Sequence, residues 1–465
     1  MRPIRLSDIA RWTEGRLIGP DATVTAISTD TRTIGPGALF VALRGERFDA
    51  HAFIAAAEAA GAAAVMVSRP VETALPQVHV ADTEEALGEL AAGLQQGRPG
   101  VVVALTGSNG KTSVKTLLLG ILSRAGKAYA NPGNLNNEIG LPLAVIGCPE
   151  DARFAIYEMG AGKPGDIAYL CSIVSPDVAL VNNVAAAHIE RLGSLSGVAE
   201  TKGAIYEALS DDGIAVVNAD DAFAPYFAQR LAGRRQLRYG IEQDADVRVR
   251  DAVATPEGTR FELLTPAGRA NVSLPLPGRH NVMNALAAAT LALAAGVGLD
   301  AIVDGLQAAE PVKGRQVAHR LPGGNVLVDD SYNANPGSVA AAIATLAACG
   351  GPAWLVLGDM RELGEDAAAL HAEVGRRARV SGIARFYAMG ELSAAAARAF
   401  GEGARTFDDH AALTDALRAD LAVAPSPPRI LVKGSRGSAM ERVAKALMND
   451  DSRGPSAGGG ETHAA

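Results

Sequence analysis

Short apolar runs recur along this chain, and between them the apolar positions repeat at helical spacing. The runs at 101–105 (VVVAL), 154–158 (FAIYE), 178–182 (VALVN) and 214–218 (IAVVN) read as buried parallel strands. Residues 111–124, 165–172, 195–209 and 221–231 read as the helices that connect them. Shorter runs over 246–274, broken by Pro256-Glu257-Gly258 and Pro266-Ala267-Gly268, predict a small antiparallel insertion. An Ala-rich helix follows at 280–295. Before this unit, strands are expected at 24–28, 38–43 and 63–67, with helices beginning at 8 and spanning 51–60 and 83–95. After it, strands at 326–330, 354–358, 384–389 and 429–432 alternate with helices in a Rossmann-like manner. Gly97-Arg98-Pro99-Gly100 and Pro311-Val312-Lys313-Gly314-Arg315 mark the junctions. The expected fold class is α/β in three domains, 1–98, 99–311 and 312–448. Residues 449–465, rich in Ser and Gly, form a tail expected to be disordered. No internal repeat is found.

The stretch 101–113, VVVALTGSNGKTS, carries the chemistry. A buried strand runs into a turn with two glycines, and a helix opens at Lys111-Thr112. Backbone N–H groups converge on an anion most readily in such a turn, and the helix N-terminus favours negative charge. This is phosphate-binding logic: Gly107, Ser108, Asn109, Gly110, Lys111, Thr112 and Ser113 would surround the phosphates. Lys111 can reach the β/γ-phosphates and the Thr112 hydroxyl can bind Mg²⁺. The usual motif begins with a Gly five positions before the last one, where this chain has Leu105, so the loop is shorter.

Other polar residues fall where strands end, the place where α/β sites are built. Glu158 suits Mg²⁺ or pairs with a neighbouring cation. His188 is a metal ligand or a satisfied loop histidine. Asn134, Asn136 and Asn137 bind sugar or phosphate or make Asx turns. Asp330 holds a ribose hydroxyl or caps a helix. Arg315 reaches a phosphate across a cleft or is a surface charge. Ser28 and Arg32, just after a strand, suit a diphosphate-bearing ligand or an ordinary turn.

Composition narrows the class. The 465-residue chain has a net charge of −8, which argues against coating nucleic acid. No apolar run is long enough to span a membrane, and the first residues lack the apolar core of a signal peptide. Cys148, Cys171 and Cys349 show no metal or redox spacing, so a cytoplasmic location is expected. Only eight of the 43 basic residues are lysines, yet Lys111, Lys202 and Lys433 sit in the motifs, which suggests amine chemistry rather than mere charge.

The stretches together resemble the Mur ligase family of ATP-dependent amide-forming enzymes. The resemblance rests on TGSNGKTS at 106, NPGNLNNEIGLP at 131, EMG at 158, AHIERLGSLSGVAETKG at 187, GRHNVMNALAAA at 278, DDSYNANP at 329, LGDMRELG at 357 and VKGSRG at 432. It implies a UDP-substrate domain, a central P-loop ATPase domain and a C-terminal amino-acid domain. It implies Thr112 and Glu158 on one Mg²⁺, His188 on a second, and a carbamylated Lys202 as a further metal ligand. It also implies Asn281 near the adenine, Arg315 at the γ-phosphate and Asp330 at the ribose. Lys111, Glu158, His188, Lys202 and Arg315 would serve catalysis, and Ser28, Arg32, Asn137, Asn333 and Asn335 the substrates. DDSYNANP, in place of an Asn-Pro-Arg motif, points to the activity that joins D-alanyl-D-alanine to a UDP-N-acetylmuramoyl-tripeptide, as a monomer. Two departures stand out: Ala161-Gly162-Lys163-Pro164-Gly165 replaces Ala-Asn-His-Pro-Gly, and Gly203-Ala204 replaces Gly-Glu. The rivals are a sister ligase with another amine or acyl donor, and a regulatory protein that uses the loop as a switch.

Overall fold

A computed structural model describes residues 1–45, 48–186, 189–255 and 258–449. His188 and the tail lie outside the described residues. The fold is α/β and multi-domain, built on three large, mostly parallel sheets.

The central sheet has nine strands. Its order runs Ala128–Ala130, Phe154–Glu158, Val101–Thr106, Val178–Val181, Ile214–Asn218, Arg235–Gly240, Val247–Thr255, Gly258–Thr265 and Gly268–Leu274. The first seven are parallel and the last two close antiparallel hairpins. The small insertion expected at 246–274 is antiparallel within itself and also extends the main sheet: Tyr239 and Gly240 pair in parallel with Val247 and Arg248. The Val101–Thr106 strand is an interior strand with both faces covered, as its apolar run requires. The chain passes from it to one side of the sheet and later returns to the other, so the loop after Thr106 opens at a topological switch point.

Helices Lys111–Ala125, Arg279–Ala294 and Leu299–Gln307 cover one face of this sheet through a core that includes Leu118, Ile121, Leu286 and Ile302. The other face shares a continuous core with the N-terminal residues. Leu87, Leu90 and Leu94 of helix Thr83–Gln95 pack with Leu141, Val145, Ile167 and Leu170. The five-stranded N-terminal sheet and the central sheet are thus joined by buried apolar surface. The six-stranded C-terminal sheet has its own cores, around Leu355, Phe386 and Val374 on one face and Trp354, Tyr387 and Leu417 on the other.

Sequence reading missed the Ala128–Ala130, Val317–Arg320 and Ala404–Phe407 strands, which are short and half-exposed. It also missed helix Gly140–Gly147, which Pro142 and two glycines disguise as loop, and helix Leu299–Gln307. This last helix crosses the phosphate-loop helix at Gly305, where an added methyl would lie 2.6 Å from the Ile121 backbone. Gly305→Ala is therefore expected to cost about 1–3 kcal/mol through overpacking, more than the roughly 1 kcal/mol that alanine gains in helix propensity. A thermal unfolding midpoint below that of the parent protein is the expected reading.

Candidate active site

The Gly107–Gly110 turn is shaped by conformations that side chains rarely take. Gly110 has φ +80°, and a side chain there would strike the Asn284 and Asn182 amides. Two neighbouring asparagines hold the turn from outside. Asn183 accepts from the Ser108 N–H through its carbonyl (3.0 Å) and from the Asn109 N–H through Oδ1 (2.8 Å). Asn182 and Asn183 each donate to the Asn109 carbonyl (2.9 and 3.1 Å). The Ser108 hydroxyl donates to the Ala185 carbonyl and accepts from the Ala185 N–H. Neither Asn182 nor Asn183 was singled out from the sequence; their place directly after a strand, beside the loop's own strand, was the available signal. Helix Lys111–Ala125 starts immediately after, so its first N–H groups, which lack intrahelical partners, face the opening.

This loop floors a cavity of about 730 Å³ between the central and C-terminal sheets. The cavity wall includes Ser108 to Ser113, Asn137, Glu158, Asn281, Arg315, Asp330, Asn333 and Asn335. Most of the expected site residues thus meet in one place. Lys111 folds back, donating to the Gly107 carbonyl at 2.7 Å. Burial pushes its ammonium below the usual range, against the pull of Glu158. Arg315 lies 203 residues from Thr112 in sequence, yet donates to the Thr112 hydroxyl at 2.9 Å and lies over the Tyr332 ring. It is therefore no surface charge. Asn335 also crosses the cleft, donating to Asn109 Oδ1 at 2.7 Å.

Asn335 accepts from the Ser338 N–H and caps helix Pro336–Ala348. Capping therefore belongs to Asn335, not to Asp330. Asp330 is buried and receives the Lys433 ammonium at 2.7 Å. Burial pushes its carboxyl up, opposed by Lys433. Asn333 accepts from the Ala334 and Arg436 N–H groups (2.9 and 3.3 Å), and its carbonyl accepts from Lys433. Asn281 donates to the Pro277 carbonyl at 2.7 Å, while Asn137, also in the cavity wall, accepts from the Gly140 N–H three residues on at 2.9 Å, a local contact but not an Asx turn.

Glu158, 3% exposed, is the buried carboxylate of the site. Asn136 donates to its Oε1 at 3.1 Å. Lys115, which sequence reading overlooked, stands 3.2 Å from Oε2 and donates to the Asn131 and Gly133 carbonyls at 2.9 Å each. Its spacing of four from Lys111, on one helix face, was the signal. Burial raises the Glu158 carboxyl, but Lys115 and Lys111 outweigh it and hold it below the usual range. The Lys115 contact is an ion pair without hydrogen-bond alignment, so Oε2 is a buried oxygen with no hydrogen-bond partner among the described residues. That oxygen, held by the Lys115 charge and beside the Thr112 hydroxyl, is of the kind a hard divalent cation takes. Among the described residues no group of three His, Cys, Asp or Glu could hold a metal by itself. Mg²⁺ has no need of one, because it keeps waters and phosphate oxygens as ligands.

Among the described residues, Gly107, Lys202, Ser28 and Arg32, all expected at the site, lie outside the cavity wall. Lys202, 1% exposed on helix Leu195–Glu207, has no hydrogen-bond acceptor among the described residues. Burial and the Lys111 charge push its ammonium well below the usual range. Ser28 ends a strand of the N-terminal sheet, and Arg32 lies in the turn that follows, where it forms an exposed bidentate pair with Asp30. Gly162 and Lys163, at the first departure, line the cavity and donate their N–H groups to Asp166 (2.8 and 2.9 Å).

The comparisons with known proteins agree with this geometry. Family models for the Mur ligase middle domain, the Mur ligase glutamate ligase domain and the Mur ligase family catalytic domain match residues 105–292, 315–436 and 23–95. The chain is 45% identical over 452 residues to the UDP-N-acetylmuramoyl-tripeptide–D-alanyl-D-alanine ligase of Escherichia coli K12, spanning 97% of this chain and 99% of that one. The chain belongs to the Mur ligase family. A crystal structure of MurF from Acinetobacter baumannii superposes on this Mur ligase with a TM-score of 0.92 at 34% identity, covering 97% and 99% of the two chains. MurF ligase from Thermotoga maritima, solved in complex with ADP, gives 0.84 at 28% identity, covering 93% and 99%.

For this Mur ligase the Lys115–Glu158 pair is directly testable. Removing one member of a buried pair strands the other charge, so Lys115→Met is expected to cost about 3 kcal/mol. Glu158→Gln in the same chain should restore part of that loss. A double-mutant cycle on thermal stability reads the coupling, and strict additivity would contradict it.

Proposed function

We propose that this chain is an ATP-dependent amide ligase that joins D-alanyl-D-alanine to a UDP-N-acetylmuramoyl-tripeptide, releasing ADP and phosphate. The observation that carries the reading is the contact of Arg315 with Thr112. It brings a cation from the C-terminal unit onto a phosphate loop of the central unit, in a chain with near-full-length identity to a relative of that name.

A carboxylate does not acylate an amine in water without activation. In the proposed reaction the terminal carboxylate of the tripeptide attacks the γ-phosphate of ATP, giving an acyl phosphate and ADP. The dipeptide amine then attacks the acyl carbon and phosphate leaves. Lys111 and Arg315 neutralise charge on the transferred group, and the loop N–H groups position the phosphates. Thr112 and Glu158 would hold Mg²⁺, which supplies charge neutralisation at the phosphate oxygens. Asn281 is assigned to the adenine and Asp330 to the ribose. His188 is assigned to a second metal on the family resemblance alone. Ser28 and Arg32 are assigned to the UDP end of the donor, with Asp30 sharing Arg32. Asn137, Asn333 and Asn335 are assigned to the peptide substrates.

Lys202 is buried, and burial with the Lys111 charge outweighs the opposing pull of Asp166 to favour the uncharged amine, the form that adds CO₂. We therefore retain its carbamylation as part of the proposal. A cytoplasmic enzyme accords with three free thiols. One chain supplies both sides of the cleft, so a monomer suffices.

Mass detection of the joined UDP-pentapeptide, formed with stoichiometric ADP and phosphate, tests the reaction. A regulatory switch would bind ATP and form no amide. Lys111→Ala should lose turnover by at least about 10²-fold, as expected when a preorganised charge at the reacting phosphate is removed; parental phosphate release would take the loop out of the mechanism. Lys202→Ala should regain activity when short-chain carboxylic acids are added, and failure to regain it counts against the carbamate.

A further inference from the structure

We infer that Arg436 binds the free carboxylate of the dipeptide substrate and so selects for an acceptor that ends in a charged carboxyl group. This rests on the ligase reading above and adds the acceptor's binding residue to it.

The reaction imposes a geometry on the acceptor. Its amine must reach the acyl carbon, beside the phosphate end marked by Arg315 and Lys111. Its carboxylate must point away, and needs a cation. Tyr332 lines the cavity with Arg315, and its ring also lies near the guanidinium of Arg436, which stands outside the cavity wall. Arg315 lies 4.5 Å from the ring centroid and Arg436 lies 5.7 Å from it. The two guanidinium carbons are therefore no farther apart than those distances together. An extended dipeptide spans about 7 Å. A dipeptide laid along Tyr332 can thus place its amine toward Arg315 and its carboxylate at Arg436.

The fork of Arg436 is open for this. Its side chain is 67% exposed, and its acidic neighbour, Glu441, stands 3.7 Å away, a charge contact rather than a bidentate pair. The backbone of Arg436 is fixed, because its N–H donates to Asn333 Oδ1. Arg361 covers Gly437 where a side chain would stand, which adds positive charge to the same rim. Arginine suits this role because its planar fork matches a carboxylate in two-point fashion.

The test uses the full-length enzyme with D-alanyl-D-alanine and with its C-terminal amide. Arg436→Met should raise the KM for the dipeptide about 10- to 100-fold, the worth of one charge-assisted pair, with the KM for ATP unchanged. Arg436→Lys should recover part of the loss. The parent enzyme should handle the amide poorly, and Arg436→Met should worsen that little, since the charge it would meet is already absent. Equal losses on dipeptide and amide would make Arg436 merely structural and overturn the inference, as would an unchanged dipeptide KM. If the parent enzyme joins no dipeptide at all, the ligase reading itself fails, which is a different outcome.

Discussion

Glu158 is the carboxylate on which the site depends. It ends a fully buried strand, beside the phosphate loop, where a lone negative charge would be costly. Two lysines on one face of the next helix make it tolerable: Lys115 contacts it directly, and Lys111 acts through its field. The same arrangement solves the opposite problem for the lysines, whose ammonium groups are buried as well. Lys115 also gathers two carbonyls of the 131–137 loop, so the position of that loop is tied to the charge state of the site. One oxygen of Glu158 meets Lys115 as an ion pair without a hydrogen bond, and it is the atom to which the proposed function assigns a divalent cation.

The three units are held to one another by different forces. The N-terminal sheet shares an apolar core with the central one through helix Thr83–Gln95, and such an interface resists sliding. The C-terminal unit meets the loop through polar contacts at the cleft, notably Arg315 with Thr112 and Asn335 with Asn109. Polar contacts of this kind are readily exchanged for water or substrate. Two units fixed together and a third held by replaceable hydrogen bonds suit a reaction that must admit three substrates and then exclude water from an acyl phosphate.

Much of this was legible in the sequence. Strands buried on both faces announce themselves as apolar runs, which is why Phe154–Glu158 and Ile214–Asn218 were found at their observed limits. The phosphate loop was legible because its chemistry is local: glycines, a lysine and a hydroxyl within a few residues. Edge strands such as Ala128–Ala130 were not, because their residues are half-exposed and carry no strict alternation. The same holds for the join between Arg235–Gly240 and Val247–Thr255, where a pairing decided by neighbours attached the expected insertion to the main sheet.

The sequence by itself determined the fold class, the phosphate loop and the set of polar residues at strand ends, since each depends on periodicity or on residues close in the chain. It did not decide which of those residues meet. Arg315 reaching Thr112, Asn335 rather than Asp330 capping a helix, and Lys115 serving Glu158 were settled by tertiary structure alone. The physical reason is the same in each case: a charge or hydrogen-bonding group is satisfied by whatever lies within about 3 Å, and packing across the cleft, not order along the chain, fixes what lies there.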